Sequence, residues 1–424
     1  MTQQNYRYHW LIVAACFLLM AVSIGILANC FVVMVPKITE TFTNADGTAS
    51  GSIQLIFTIA ILANLVGGAI AGKVYSKLSM RKIMPIYALV MCAGIFGWSQ
   101  SVELWQLYTF SILVGLGASG VSLVPCGIII NNWFHEKKGL ATGIAFTGSV
   151  AGGLVFVQAT RFVLDTYSAL GATGWKEAYL MQGICAAVIA IPVTVLIIRS
   201  KPQEKGLLPY GVRAEEEAVV SEIGAGIKLG KFIKTSSFWL LALSGFIIGF
   251  ANIGMQNNIQ VYLEQMGYLE VQATMAFSIG LFVQIFGKLI LGWFYDKRGV
   301  AFSQIYCLIC FIGCATLLIF AQDGNIVTAY AFGAVFGLVA SMSTVTPPYL
   351  TAKIVGVRDY ATIFGIMSLF YGMGIASGPM VVEALSSGGS WTPIWIGLMG
   401  MSAIMACTTI LAHRKGKGYA QLTD

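Results

Sequence analysis

Charge is what this sequence has least of. Only 10% of its 424 residues are charged while 57% are hydrophobic, whereas soluble domains carry roughly one charged residue in four. A soluble domain is excluded, and an integral membrane protein is expected. Histidine is scarcer still, with three in the chain, so there is little from which a His-based metal site could be built. The nine cysteines lie almost wholly within apolar windows. Cys307, Cys310 and Cys314 mimic metal-ligand spacing, but Ile, Leu, Phe and Gly surround them with no His nearby, so they read as buried thiols. The apolar windows also lack a nucleophile paired with a base. No enzyme activity, metal or cofactor is expected.

What is present instead is apolar length. Windows of about 20 residues, enough to cross the hydrocarbon core, recur from end to end, and they predict twelve spans over 10–35, 51–75, 83–102, 105–131, 139–163, 177–199, 237–261, 271–295, 302–321, 326–351, 361–383 and 393–412. The first is too long for a secretory signal and lacks its small-residue cleavage pattern, so it is expected to be retained. Of the 25 Lys and Arg, 21 fall on one side if both termini are cytoplasmic. Lys37, Arg161 and Lys176 fall on the other, and Lys288 alone lies deep within a span. Under the positive-inside rule, that predicts a multi-pass protein of the cell (inner or plasma) membrane with both termini inside. The net charge of +7 then reports topology and not nucleic-acid binding.

Composition shifts between Ser200 and Lys234, where the chain becomes charged and rich in Pro and Gly. The expected organisation is a six-helix unit over 1–199, a cytoplasmic linker over 200–234 and a second six-helix unit over 235–424. Within the linker, Glu215, Glu216 and Glu217 read as a solvated charge run, and Lys228, Lys231 and Lys234 as contacts to anionic lipid. The halves echo each other: Gly72 and Gly292, like Lys77 and Lys297, are 220 residues apart, while Pro125 and Pro347, Gly143 and Gly365, and Gly152 and Gly374 are 222 apart. A duplicated unit of this kind predicts a binding site near the membrane midplane.

Ala273 to Gly299, ATMAFSIGLFVQIFGKLILGWFYDKRG, concentrates the chemistry. An ammonium at mid-span costs a few kcal/mol or more unless something compensates it. All 18 Asp and Glu sit at span ends or in loops, so a substrate anion is favoured over a carboxylate of the chain as the partner of Lys288. Snorkelling is the alternative, but the interface near Asp296 is eight residues away, about 12 Å of helix rise. Gln284 lies one turn earlier on the same face.

Several motifs resemble the major facilitator superfamily. Gly292-x-x-x-Asp296-Lys297-x-Gly299 is similar to that family's loop between helices 8 and 9, and Gly72 to Lys82 to its counterpart between helices 2 and 3, with Ser76 where the family has Asp and Ser79 where it has Gly. Trp133 to Gly143 (WFHEKKGLATG), Arg199 to Pro209 (RSKPQEKGLLP) and Pro36-Lys37 resemble the monocarboxylate transporter and oxalate:formate antiporter group. The resemblance implies an all-α fold of twelve transmembrane helices in two six-helix bundles. It also implies a conformational latch of Asp296, Lys297, Arg298, Lys77 and Arg81, and a helix-8 cation, usually Arg, that receives a carboxylate; here it is Lys288. Gln284 stands where proton-coupled relatives resemble one another in having Asp, and Gln cannot titrate. Met367 stands at the place of the second cation of the oxalate exchanger, with Leu123 and Ser149 where tyrosines are expected, so a monocarboxylate is favoured over a dianion. Lys37 resembles a lysine at the outer cavity mouth and reads either as an entry residue or as an interfacial anchor.

Asn29, Asn64, Asn252, Gln256, Asn257, Thr344 and Tyr371 are further candidates for the substrate pocket; interhelical hydrogen bonding is the alternative for each. Gly143 to Gly153 and Gly372, Gly374 and Gly378 predict close helix approach, and Pro125 and Pro347-Pro348 predict kinks in helices 4 and 10. The expectation is a monomeric secondary transporter of small organic anions such as formate, lactate, pyruvate or oxalate, with antiport against a counter-anion preferred. Proton symport of a monocarboxylate, or facilitation of an uncharged or drug-like solute with Lys288 structural, remain the alternatives.

Overall fold

The computed structural model describes residues 6–42, 53–212, 226–321, 324–386 and 390–422. Glu215, Glu216 and Glu217 lie outside the described residues. In hydrocarbon every backbone polar group has to be satisfied internally, which a helix does within one segment. The long apolar windows accordingly fold as helices. Among the described residues, twelve are long and apolar enough to span a membrane: α1 (Arg7–Cys30), α2 (Leu55–Lys77), α3 (Met80–Gln100), α4 (Leu104–Trp133), α5 (Lys138–Ala169), α6 (Trp175–Ile197), α7 (Ser236–Gln265), α8 (Gln272–Lys297), α9 (Gly299–Phe320), α10 (Ile326–Val355), α11 (Tyr360–Ser386) and α12 (Thr392–Gln421). Among the described residues the only β pairings are two isolated bridges, Phe134 with Tyr210 and Gly226 with Gly356.

Contacts divide the chain into two compact units, Met1–Trp133 with Ile144–Pro209 and Phe134–Gly143 with Tyr210–Asp424. In the first, α2 packs on α4, and α3 packs on α4 and α6. In the second, α8 packs on α10, and α9 packs on α10 and α12. These are the same pairings advanced by six helices. The glycine repeat has the same logic: a Cβ at Gly152 would lie 2.5 Å from the Cα of Ala21 on α1, and one at Gly374 would lie 2.7 Å from the backbone nitrogen of Phe250 on α7. Side chains at these crossings would force the helices apart.

Several spans are interrupted. Residues Gly25–Cys30 of α1 form a π-helical turn, and Asn29 lies within it. α4 breaks between Ser119 and Leu123, and α10 breaks at Ser341. The α4 break includes Val121, whose carbonyl is the one Pro125 leaves without an N–H, while the α10 break at Ser341 lies six residues before Pro347.

The segment after α6 explains a second motif. Trp133 Nε1 donates to the Arg199 carbonyl at 2.9 Å, Asn132 Nδ2 to the Ser200 carbonyl at 3.0 Å, and His9 Nε2 lies 2.8 Å from the Leu208 carbonyl. Pro202 opens a short 3-10 turn, Glu204 accepts from the Ser200 and Lys201 N–H groups, and Gly206 ends it at φ +64°. The Arg199–Pro209 motif is thus a strap bound to the first unit by backbone carbonyls.

Candidate functional site

The site is built on α8. Residues 284, 288, 291 and 295 recur at helical spacing on one face, and all four are buried, with Lys288 at 0% exposure. On the same face, two turns along the helix, the Tyr295 hydroxyl meets Thr346 Oγ1 at 2.8 Å and accepts from Gln304 Nε2 at 2.6 Å. Tyr349 donates its hydroxyl to the Tyr295 carbonyl at 3.0 Å, and the two rings stack at 4.5 Å. This network ties α8 to α9 and α10. Towards the other end, Gly287 approaches the Gly337 carbonyl so closely that a Cβ would stand 2.8 Å from it. Lys288 therefore sits on a helix whose rotation and register are fixed on both sides. Desolvating an ammonium this fully is costly without compensation.

The same helix meets the start of α5 along a run of small residues. A Cβ on Gly143 would lie 2.5 Å from the Lys288 carbonyl oxygen, and one on Gly292 would lie 2.8 Å from the Gly139 carbonyl carbon. One turn further, the Asp296 carboxylate accepts the Gly139 N–H on Oδ1 and the Leu140 N–H on Oδ2, both at 2.8 Å. A carboxylate at a helix N-terminus satisfies donors that have no intrahelical partner and faces the positive end of the helix dipole. Lys138 and Lys353 add positive charge around it.

Of the residues named for the latch, Asp296 engages the α5 terminus. Lys297 and Arg298 are exposed, and the Arg298 guanidinium lies 5.8 Å from the Phe302 ring centroid. Lys77 and Arg81, in the first unit, are exposed. Lys138, Gly139 and Lys353 were not singled out by sequence reasoning. The first two stand inside the WFHEKKGLATG segment, where the signal was present without its meaning.

The pocket candidates separate by unit. In the second, Gln284 and Lys288 share a face of α8. Asn252 on α7 is fully buried, and neither end of its amide has a protein hydrogen-bond partner; the buried Thr344 hydroxyl on α10 has none either. Tyr371 on α11 is buried. With Met367, Ser244, Ile248 and Pro347 it lines a cavity of about 10 Å³, room for one water at most. Gln256 is half-buried and Asn257 exposed. In the first unit, Asn64 Nδ2 donates to the Gly115 carbonyl at 3.3 Å, an interhelical bond between α2 and α4. Asn29 Nδ2 reaches the Gly25 carbonyl at 3.4 Å and lies against Gly153. Lys37 pairs with Glu40 at 3.4 Å. A concavity of about 310 Å³ lies elsewhere, lined by Val163, Glu177, Leu180, Met181 and Ile184 on α5 and α6.

Comparison with known proteins gives one consistent picture. The human monocarboxylate transporter 12 is 22% identical over 94% of this chain and 78% of its own length. Human monocarboxylate transporter 2 is 24% identical over 85% and 76%, and the probable transporter MCH2 of Saccharomyces cerevisiae is 26% identical over 70% and 59%. Among solved structures, the proton:xylose symporter XylE superposes with a TM-score of 0.73 at 14% identity, covering 98% of each chain. At that identity the likeness concerns the fold. The family model of the Major Facilitator Superfamily matches residues 13–346, and with that match, the twelve spans and the duplicated packing in hand, the chain belongs to the Major Facilitator Superfamily.

Proposed function

We propose that this chain exchanges small monocarboxylate anions across the membrane by alternating access, with Lys288 as the counter-charge of the bound carboxylate. The observation that carries the reading is a lysine with no exposed surface at the middle of an apolar span, on a helix fixed by the Tyr295 network. An ammonium in such surroundings attracts a carboxylate far more strongly than in water. The named relatives that transport monocarboxylates support it. Lys lacks the bidentate fork of Arg, so discrimination among carboxylates falls to the neighbours of Lys288. Met367, apolar and beside Tyr371, disfavours a dianion. Asp296 serves as the latch, with Lys138 and Lys353 as its supporting charges and residues 200–234 as the connection between the six-helix units. The protein acts in the plasma membrane as a monomer with both termini cytoplasmic.

The test is counterflow in proteoliposomes with radiolabelled formate, lactate, pyruvate and oxalate. The native protein should exchange at least one monocarboxylate faster than oxalate, and Lys288→Gln should lower that exchange at least tenfold while eluting as a folded monomer. Full exchange by a folded Lys288→Gln protein would remove the site assignment.

A further inference from the structure

The loop before α5 holds an unusual backbone. Lys137 has φ +52°, alone among the non-glycine residues described. That left-handed region disfavours L-residues, so such a conformation persists only where neighbours enforce it. Tyr210, from the linker, supplies three restraints on this loop. Its carbonyl accepts the N–H groups of His135 and Glu136, both at 3.0 Å. Its ring stacks on Phe134 at 5.4 Å and 23°, and the Lys137 ammonium lies 5.4 Å from the ring centroid, within cation–π range. Gly211 follows at φ +90°, and a Cβ there would lie 2.6 Å from the Glu136 Cβ. The linker can lie this close to the loop because residue 211 is glycine.

The consequence lies on the far side of the turn. The Lys137 carbonyl accepts the Ala141 N–H at 2.9 Å, opening α5, and the next two residues but one, Gly139 and Leu140, donate to Asp296. The left-handed residue thus turns the chain from the loop after α4 into α5 and sets where the capped N–H groups point. Lys137 offers no capping oxygen of its own, and the Asp296 carboxylate takes that role from a distant helix.

We propose that Tyr210 is a positioning residue for the Asp296 latch: by holding Lys137 left-handed it aims the first N–H groups of α5 at the carboxylate. The inference rests on the reading of Asp296 as a latch. Thr142, buried in the first turns of α5 at 2% exposure, is the reporter. Thr142→Cys is placed in a background with the native cysteines replaced, and its modification by a charged maleimide is timed in nanodiscs.

Tyr210→Ala should raise the modification rate about fivefold, the scale of losing the ring restraints on a strained turn, and Tyr210→Phe should leave it unchanged. Adding Lys137→Gly to Tyr210→Ala should bring the rate back to within about twofold, because glycine adopts the left-handed region without enforcement. An unchanged rate in Tyr210→Ala overturns the proposal. So does a raised rate that Lys137→Gly does not restore, since that marks general loosening. Asp296→Asn separates the two levels: if it leaves the rate unchanged, the latch reading itself fails and the role of Tyr210 with it. If it raises the rate while Tyr210→Ala does not, only the role of Tyr210 fails.

Discussion

A single buried polar side chain can be judged by whether its hydrogen bonds are met. Asn258 on α7 donates to the Gly254 carbonyl at 2.9 Å and to the Pro379 carbonyl at 3.3 Å, so it fastens α7 to α11. Asn252, less than two turns earlier, is buried with neither amide end paired to protein. An unsatisfied buried amide costs about 1–3 kcal/mol, and a residue retained for packing alone would do better as Leu. Asn252→Leu should therefore raise the melting temperature in detergent, by about 1–2 kcal/mol of added stability, and lower carboxylate exchange at least tenfold, the trade expected where a site sacrifices stability for function. A variant that loses stability and activity together would assign Asn252 to packing. Lys288 was legible as a chemical centre because a charge inside an apolar window needs no structure to be conspicuous. Asn252 stood out from Gln256 and Asn257 only once their burial was known: Gln256, one turn away on nearly the same face, is only half-buried, and Asn257 faces outward.

At the level of elements, the spans were legible because the bilayer leaves a long apolar segment one economical structure. Their interruptions were less so. Pro125 and Pro347 announce a disturbance, yet the disturbed backbone lies upstream, at Gly120–Ser122 and Ser341. The partner of Asp296 was hidden for another reason: it is a pair of backbone N–H groups, which no residue type advertises, on a helix more than 150 positions away. The α5–α8 contact gives the sharpest test of packing. Gly143→Ala would put its Cβ 2.5 Å from the Lys288 carbonyl oxygen and 3.2 Å from its carbon, atoms that cannot rotate aside. Gly68→Ala, at the position 220 residues before Lys288, meets only Val124 Cγ2 at 3.6 Å, an ordinary contact. Maximal exchange should fall about tenfold or more in Gly143→Ala, as it does when a site is shifted by a fraction of an ångström to an ångström. Gly68→Ala should stay within about twofold, because its Cβ makes only an ordinary van der Waals contact. Equal rates for the two variants, measured at matched reconstitution, would deny the glycine contact a role in placing Lys288.

Across the whole molecule the duplicated helices carry unequal chemistry. The first unit has Gly68 and Ser76 where the second has Lys288 and Asp296, and Asn64 where the second has Gln284. The duplication supplies the scaffold, and the second unit supplies the charge. The same inventory bears on energy coupling. A proton-driven carrier needs a group that gains and loses a proton near the substrate, and the acid that would do so beside the cation is replaced by Gln284, which cannot titrate. None of the 18 acidic residues or three histidines stands at mid-span. In the proposed exchange, a carboxylate bound at Lys288 adds its own charge compensation to the buried ammonium, so reorientation is favoured with an anion bound. Proteoliposomes preloaded with the transported acid should therefore take up label at least tenfold faster than empty ones, the ratio that about 1.4 kcal/mol of difference between loaded and empty sites produces. An inward proton gradient, with the membrane potential clamped, should add less than about twofold, since Gln284, beside the cation, cannot take up a proton. Uptake into empty vesicles that grows with the imposed gradient would reverse the assignment and make the chain a symporter, with the proton carried by a group other than Gln284.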